Sequence, residues 1–297
     1  LTRSNRAAPC LAAVLLAAGV ARGLPAQTAG PIIDTIVVIN HNVFDERELE
    51  TLPYIARFAN AVHIKTHTSV IRRTILFNQG DPYDSARAVE SERALRGLSA
   101  FRQVRVDTVR LRNRLALRVR PEDGWSTRPQ VNYSSYGGSV TWQAGMQESN
   151  FLGTATSLTA LFTKTPDRSW GQFTYFNPHF IARRPRFALT YQPRSDGTYW
   201  AWSLGVPFYQ TAAQRQFGTN GDALTYRVLV FKDQTLFATT ERHGLRFGVN
   251  AGRALRATSH SYVRLWTAAS WRREDFAPVD SVAPGSTFGT IGAGIEV

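Results

Sequence analysis

The alternation of apolar and polar side chains after Gly124 constrains the fold of this chain more than any other feature. Segments of about ten residues are apolar at every second position, and Gly, Pro, Asn and Asp separate them. Clear examples are 200–208, 245–251 and 291–297. Because successive side chains of a strand point to opposite faces, we predict about ten or eleven antiparallel strands. Turn signals lie at Gly137-Gly138, Asp196-Gly197 and Asn220-Gly221.

Alternation by itself fits two architectures, a soluble sandwich and a membrane barrel. In a sandwich the apolar face is the internal core, whereas in a membrane barrel it faces lipid and the polar face lines the lumen. Aromatic residues gather near the predicted strand ends, where membrane barrels carry aromatic girdles. They are Trp142, Trp170, Tyr175, Phe176, Phe180, Tyr191, Tyr199, Trp200, Trp202, Phe208 and Tyr209. This distribution favours the membrane barrel.

Residues 1–26 have the layout of a secretory signal peptide. Arg3 and Arg6 precede an uncharged apolar run, 11–20, and Ala26 offers a small residue for cleavage. The run is too short to cross a bilayer as a helix. Cys10 lies before the run rather than at its end, so the pattern does not indicate a lipid-anchored cysteine. We therefore expect an exported chain without a disulfide framework.

Residues 31–124 mix the periodicities of strands and helices. The pattern predicts, in order, a strand Ile32–Ile39, a helix from Ser69 to Gly80, a helix that Asp84 caps and that ends near Gly97, and a hairpin of Gln103–Leu111 and Arg114–Arg120 around Arg112-Asn113. This β-α-α-β-β order predicts an α+β unit in which two helices cover one face of a small sheet.

A strand of that hairpin is the first candidate functional surface. It consists of Gln103, Val104, Arg105, Val106, Asp107, Thr108, Val109, Arg110 and Leu111. At the edge of the sheet, its free N–H and C=O groups could pair with an extended strand of another protein. The alternative is a solvated edge on which Arg102, Arg105 and Arg110 prevent aggregation.

The second candidate is the basic run Arg183, Arg184 and Arg186. The chain has a formal net charge of +13, and its only lysines are Lys65, Lys164 and Lys232. The arginines are spread along strand-like segments, which fits a polar lumen or lipid head groups better than nucleic acid. We expect the run to lie in a periplasmic turn, where it binds lipid phosphate or the small unit, or is simply solvated.

Catalytic and metal-binding patterns are weak. The sequence has no Walker loop, no G-x-S-x-G elbow and no G-x-G-x-x-G loop. His63 and His67 have helical i, i+4 spacing, but no Glu-His pattern accompanies them. Asp196, His243 and His260 are the candidates for a catalytic group near strand ends. We expect a protein that is not an enzyme and needs no cofactor or metal.

Three stretches resemble one protein family. Val70–Asp84 is similar to the first helix and turn of a POTRA domain, and Glu92–Val106 to its second helix and edge strand. Glu148–Leu158, with its Glu-Ser-Asn-Phe-Leu-Gly start, resembles a turn that opens the barrel of the Omp85 superfamily, the bacterial surface antigen D15 proteins. Asn177-Pro178-His179 and Pro207-Phe208-Tyr209 follow in the expected order, so the resemblance covers about residues 33–297.

The resemblance implies a domain division and a function. Residues 1–26 would be the signal peptide, 31–124 a POTRA-like periplasmic domain, and 125–297 the N-terminal part of an outer-membrane barrel. The protein would assist insertion or translocation of outer-membrane proteins without enzymatic chemistry. Its partners would be unfolded outer-membrane client proteins, outer-membrane lipid and accessory assembly lipoproteins. The alternatives are a dedicated secretion pore of the two-partner type and a barrel-borne enzyme.

The chain departs from the family pattern at its C-terminal end. Barrels of this superfamily have sixteen strands, and the lid-loop motif of the family and an aromatic final residue are both absent here. An open sheet leaves unpaired edges in lipid, which a bilayer does not tolerate. We therefore expect the barrel to be truncated in this sequence.

Overall fold

The computed structural model describes residues 30–44, 50, 54, 57, 60, 61, 63–233, 235–277 and 285–297. The predicted signal peptide, 1–26, lies outside the described residues. A sheet of three strands and a sheet of ten strands carry the fold, so the chain is mainly β, as predicted. Among the described helices, none is long and apolar enough to cross a membrane.

Among the elements that the structure describes over their whole length, the first unit follows the predicted β-α-α-β-β order, and the described residues Glu50, Tyr54, Arg57, Asn60 and Ala61 are also helical. Its elements are β1 (Thr35–Val38), α1 (Thr68–Thr74), α2 (Ser85–Arg96), β2 (Phe101–Leu111) and β3 (Arg114–Asp123). The strand order is β1-β3-β2, with β1 parallel and β2 antiparallel to β3. The predicted hairpin turn is confirmed, since Arg112 and Asn113 have φ of 48° and 64°.

The core of this unit lies between the helices and one face of the small sheet. Ile71 of α1, Leu95 of α2, and Leu117 and Val119 of β3 are fully buried there. Full burial of such a side chain stabilises the fold by about 1.5–3 kcal/mol. The apolar residues that alternate along β3 are therefore the internal face of this sheet.

The first helix is shorter than the sequence pattern predicts. Instead of running from Ser69 to Gly80, it ends at Thr74, and Ile75 is extended with ψ of 153°. Ile75, Leu76 and Phe77 are consecutive and all buried, which a helix with a single buried face cannot achieve. The second helix matches its prediction, because the Asp84 carboxylate accepts from the N–H groups of Ala86 and Arg87.

The second unit is a ten-stranded antiparallel meander. Its strands are β4 (Thr127–Tyr136), β5 (Ser139–Phe151), β6 (Thr156–Lys164), β7 (Ser169–Asn177), β8 (Arg186–Arg194), β9 (Gly197–Val206), β10 (Arg215–Lys232), β11 (Thr235–Ala257), β12 (Tyr262–Phe276) and β13 (Ser286–Glu296). Each strand pairs with its neighbours in sequence, and β4 and β13 are the two edges of the described sheet.

Two of the three predicted turns are confirmed. Gly137-Gly138 joins β4 to β5, and Asp196-Gly197 lies at the β8–β9 connection. The predicted turn at Asn220-Gly221 is wrong, because both residues lie inside β10. Gly221 is paired with Trp202, and a Cβ at Gly221 would lie 2.8 Å from Trp202 Nε1. This glycine makes room for an indole ring instead of reversing the chain.

The two ends of the large sheet differ. The β5–β6, β7–β8, β9–β10 and β11–β12 connections share the end that faces the first unit, and hydrogen bonds join the first three of them to it. At the opposite end, 227–232 of β10 pair with 235–241 of β11 and with no other described strand. The interface between the two units therefore lies at one end of the meander.

Candidate functional site

The predicted edge strand lies at an edge of the small sheet. All residues from Gln103 to Leu111 belong to β2, and β2 pairs with β3 alone among the described strands. Leu111 and Arg114 flank the two-residue turn, so their N–H and C=O groups face each other. The N–H and C=O groups of Arg110, and of every second residue before it in β2, therefore point away from β3. Val106 follows this rule, since its N–H donates outwards to Glu92 Oε1 at 2.8 Å.

The arginines of this strand are on its surface. Arg105 and Arg110 are exposed, and Arg102 forms an ion pair with Glu122 at 3.4 Å. Asp107 accepts from Arg118 at 2.8 Å and from Arg120 at 2.7 Å. The hydrogen bond from Arg118, with that from Arg120, holds the pKa of Asp107 below its usual range. The sheet face opposite the helices is consequently basic around one ionised carboxylate.

The basic run lies in the β7–β8 turn and faces the first unit. The Arg183 guanidinium donates to the carbonyl oxygens of Arg73 at 3.0 Å and of Ile75, and to Asn78 Oδ1 at 2.7 Å. The end of an α-helix leaves carbonyl groups without helical partners. Arg183 donates to carbonyls in the last turn of α1 and just after it, and thereby ties the large sheet to the small unit.

Arg184 and Arg186 behave differently from Arg183. The Arg184 guanidinium stacks on the Tyr209 ring at 4.1 Å, and burial, with the neighbouring charge of Arg183, lowers the pKa of Arg184 to about 10. It therefore stays positively charged near neutral pH. Within the described residues, neither Arg184 nor Arg186 forms a hydrogen bond or an ion pair, and burial lowers the pKa of Arg186 as well.

The Glu-Ser-Asn-Phe-Leu-Gly motif forms a joint between the two units. Asn150 donates through Nδ2 to the carbonyl oxygen of Ile64 at 3.1 Å and accepts at Oδ1 from the N–H of Ala155 at 2.9 Å. Gly153 has φ of +71°, and a Cβ there would lie 2.6 Å from the carbonyl oxygen of Lys65. The motif thus has a physical role, because its amide and its glycine fit the turn against the small unit.

A second joint connects α2 to the β9–β10 turn. Glu90 accepts at Oε1 from the backbone N–H of Thr211 at 2.8 Å and from the Thr211 hydroxyl. The carbonyl oxygen of Thr211 accepts from Arg264 of β12 at 2.9 Å. The Arg264 guanidinium in turn stacks on the rings of Phe208 and Tyr262, at 4.2 and 3.9 Å. The helix and the sheet are therefore held through one threonine.

A third joint is made by His179 in the β7–β8 turn. His179 Nε2 lies 3.1 Å from Thr74 Oγ1, and the Thr74 hydroxyl donates to the carbonyl oxygen of Val70 at 2.8 Å. The imidazole is therefore the donor, in its Nε2–H form. Burial, together with the charges of Arg73 and Arg184, lowers the pKa of His179 to about 4, so the ring is neutral near neutral pH.

The histidines and acids that the sequence suggests for other chemistry are not brought together. His63 contacts the buried carboxylate of Asp123 at 3.0 Å, and the His67 ring lies next to Gly153. Asp196 pairs with Arg168 at 2.9 Å in the β8–β9 turn, and His243 of β11 lies 3.2 Å from Thr225 Oγ1 of β10. His260 lies in the β11–β12 turn at the opposite end of the large sheet. The described residues hold no group of three His, Cys, Asp or Glu that could bind a metal.

The large sheet has one apolar and one polar face. Exposed apolar side chains recur across paired strands on one face: Val131, Met146, Phe162, Phe173, Trp200, Leu245, Phe247, Trp271 and Ile291. The other face carries polar cross-strand pairs, such as Gln130–Gln147 at 2.8 Å, Gln172–Gln192 at 2.9 Å and Asp222–Arg246 at 2.6 Å. A water-soluble monomer rarely exposes so large an apolar surface, whereas a membrane barrel requires one.

Comparisons with known proteins found structural matches only. No family model matches the chain, and no curated protein matches it. A crystal structure of BamA from Haemophilus ducreyi lacking POTRA domains 1–3 is 12% identical with a TM-score of 0.40, covering 81% of this chain and 56% of that one. CdiB from Acinetobacter baumannii is 11% identical with a TM-score of 0.44, covering 89% of this chain and 48% of that one. The chain thus spans about half the length of these two solved chains.

Proposed function

We propose that this chain belongs to an outer-membrane barrel protein of the Omp85 type that assists insertion or translocation of client proteins. One observation carries the proposal: a ten-stranded antiparallel sheet exposes a continuous apolar face and is joined at one end to a small sheet with an open edge strand. In this arrangement the sheet spans the outer membrane and the small unit lies in the periplasm as a POTRA-like domain.

Strand length and polarity support the membrane assignment. β4 to β9 have between 9 and 13 residues, and a membrane strand needs about 9–11. The polar cross-strand pairs then line a lumen, and the exposed aromatic and aliphatic side chains contact lipid. Exposed apolar side chains of this size would promote aggregation of a protein that stayed in water.

The open edge supports the role of the small unit. An unfolded client segment would add to β2 through backbone hydrogen bonds, which demand little of its sequence. No covalent step is needed, because a client strand that enters lipid gains free energy by satisfying its own hydrogen bonds and burying its apolar face. The partners in this proposal are unfolded outer-membrane proteins, lipid and accessory assembly lipoproteins.

Liposome reconstitution tests the proposal. The full-length protein is placed in liposomes, an unfolded barrel protein is added by dilution from urea, and folding of this client is followed over time. We expect the protein to accelerate client folding. The alternative is a secretion pore, and the polar face of the sheet is the observation that favours it. Ion conductance through the liposomes without any acceleration of client folding would contradict an insertase and support the pore.

A proline variant separates the edge strand from the rest of the molecule. The N–H of Thr108 faces away from β3, so Thr108→Pro removes one outward donor and leaves the β2–β3 ladder intact. Thr108→Ala keeps the donor and is the matched control. We expect Thr108→Pro alone to lose most of the acceleration. Equal rates for the two variants would show that strand addition to β2 is not used.

A further inference from the structure

The open edge of β2 is interrupted at its centre. Val106 donates its outward N–H to Glu92 Oε1 at 2.8 Å, although the two residues are 14 positions apart. Glu92 projects from α2, which packs against the core side of β2. Its second oxygen lies 3.4 Å from Arg96 Nη1, one helical turn further along. The Val106 N–H and the Arg96 guanidinium therefore hold the Glu92 carboxylate over the open edge of β2.

Glu92 occupies the place of a client carbonyl. An added strand satisfies each outward N–H of the edge with a backbone carbonyl oxygen, and each outward carbonyl with an N–H. In β2 the outward groups belong to alternate residues, Val104, Val106, Thr108 and Arg110. A strand that covered all four would need the position that the Glu92 oxygen fills.

We propose that Glu92 is a specificity-determining residue that limits client addition to the Thr108–Leu111 half of β2. A short extended segment adds there without disturbing Glu92, whereas a longer one must first break the Val106–Glu92 hydrogen bond. The segment that adds to β2 is an extended strand of an unfolded outer-membrane protein whose backbone N–H and C=O groups are still without partners. This inference rests on the proposed function, since it assumes that clients add to this edge.

The difference between the two halves of the edge follows from charge and geometry. A carboxylate is a stronger acceptor for an N–H than a peptide carbonyl, so Glu92 competes well with a client at Val106. At Thr108 and Arg110 no described side chain accepts from the backbone, and water alone has to be displaced. Arg96 lowers the freedom of the Glu92 side chain and so strengthens the competition.

Peptide binding to the full-length protein in detergent tests the inference. The probes are a nine-residue and a four-residue extended peptide from the final strand of an outer-membrane barrel. The variants are Glu92→Ala, which removes the acceptor, and Glu92→Gln, which keeps an oxygen in place. We expect Glu92→Ala to bind the nine-residue peptide about tenfold more tightly than the wild type and the four-residue peptide as the wild type does. Glu92→Gln keeps an oxygen over Val106 but is a weaker, neutral acceptor, so its affinity for the nine-residue peptide should lie between those of the wild type and Glu92→Ala.

Hydrogen exchange at 104–108 confirms that each variant has folded and reports the bond itself. The Val106 amide should exchange faster in Glu92→Ala and regain protection when the long peptide binds. Unchanged or weaker binding of the long peptide by Glu92→Ala, with wild-type binding still sensitive to Thr108→Pro, would overturn the role of Glu92 and leave strand addition intact. Absence of peptide binding by the wild type and by Glu92→Ala would overturn both.

Discussion

The small sheet and the large sheet use the same side-chain alternation in opposite ways. In β3, Leu117 and Val119 are 0% exposed, because two helices cover the apolar face. In the large sheet Val131 and Phe173 are 82% and 54% exposed, because no layer of the described chain covers the apolar face of that sheet. Alternation therefore defines two faces of a strand, but the neighbouring elements decide whether the apolar face is an internal core or a surface for lipid.

The edges of the two sheets differ as well. β2 is shielded in part by charged side chains, with Arg105 and Arg110 exposed and Glu92 on the Val106 amide. β13 and β4 have no comparable cover of charge, and apolar residues such as Ile291 and Val131 stay exposed along them. A solvated edge needs charge to prevent aggregation, whereas an edge in lipid needs a partner strand. This contrast agrees with the proposal of a periplasmic unit joined to a membrane sheet.

The largest effect is expected from a cavity in the small unit. Leu117→Ala removes a fully buried side chain and should lower the free energy of unfolding of this unit by about 2–5 kcal/mol. The matched change in the large sheet, Leu245→Ala at an exposed position, should have a much smaller effect. Urea unfolding of both variants measures the difference. Similar losses at both positions would mean that a covering layer protects Leu245.

A charge on the exposed apolar face tests the lipid assignment directly. Phe173→Arg should lower the stability in bilayers by about 2–4 kcal/mol, because residue 173 lies near the middle of β7. Thr174→Arg, the neighbour on the polar face, is the control and should cost far less. Folding into lipid vesicles at graded urea concentrations gives both values. If the control were the more damaging variant, the apolar face would not be the one in lipid.

The element order of the small unit was predictable because each element has its own local signal. Asp84 caps α2 with its own carboxylate, and Arg112-Asn113 supply the positive φ that a two-residue turn needs. The end of α1 was not predictable, because burial of Ile75, Leu76 and Phe77 together depends on contacts with distant elements. The turn predicted at Asn220-Gly221 was wrong for the same reason, since the space that Gly221 leaves is filled by Trp202 from another strand.

The candidate site was predictable in its location and not in its contacts. The run at Arg183 and the strand from Gln103 to Leu111 stand out as a charge cluster and an alternating segment. Glu92, Thr211 and Arg264 carry no such signal, because each acts on a residue at least 14 positions away. To single out Glu92 among the glutamates of α2, one has to know how α2 is oriented on the small sheet.

An intermediate effect is expected where the two units meet. Arg183→Ala removes donors to the carbonyl oxygens of Arg73 and Ile75 and should weaken docking of the small unit by about 1–3 kcal/mol. Arg184→Ala is the matched control, since its guanidinium makes no hydrogen bond within the described residues. Hydrogen exchange at 73–78 measures docking. Equal exchange in both variants would show that Arg183 does not hold the units together.

The smallest effect is expected from pH at the same junction. The pKa of His179 is lowered from 6.5 to about 4 in the folded chain, so between these values the unfolded chain binds a proton that the folded chain does not. Stability is therefore unaffected above about pH 6.5, falls as the pH drops towards 4, and levels off below it. Because the ring is partly exposed, the loss should be only about 1 kcal/mol. His179→Gln keeps a donor for Thr74 and should remove this pH dependence of the free energy of unfolding, which unfolding titrations from pH 7 to 4 measure. If the wild-type and variant curves stayed parallel over this range, His179 would not be the source of the dependence.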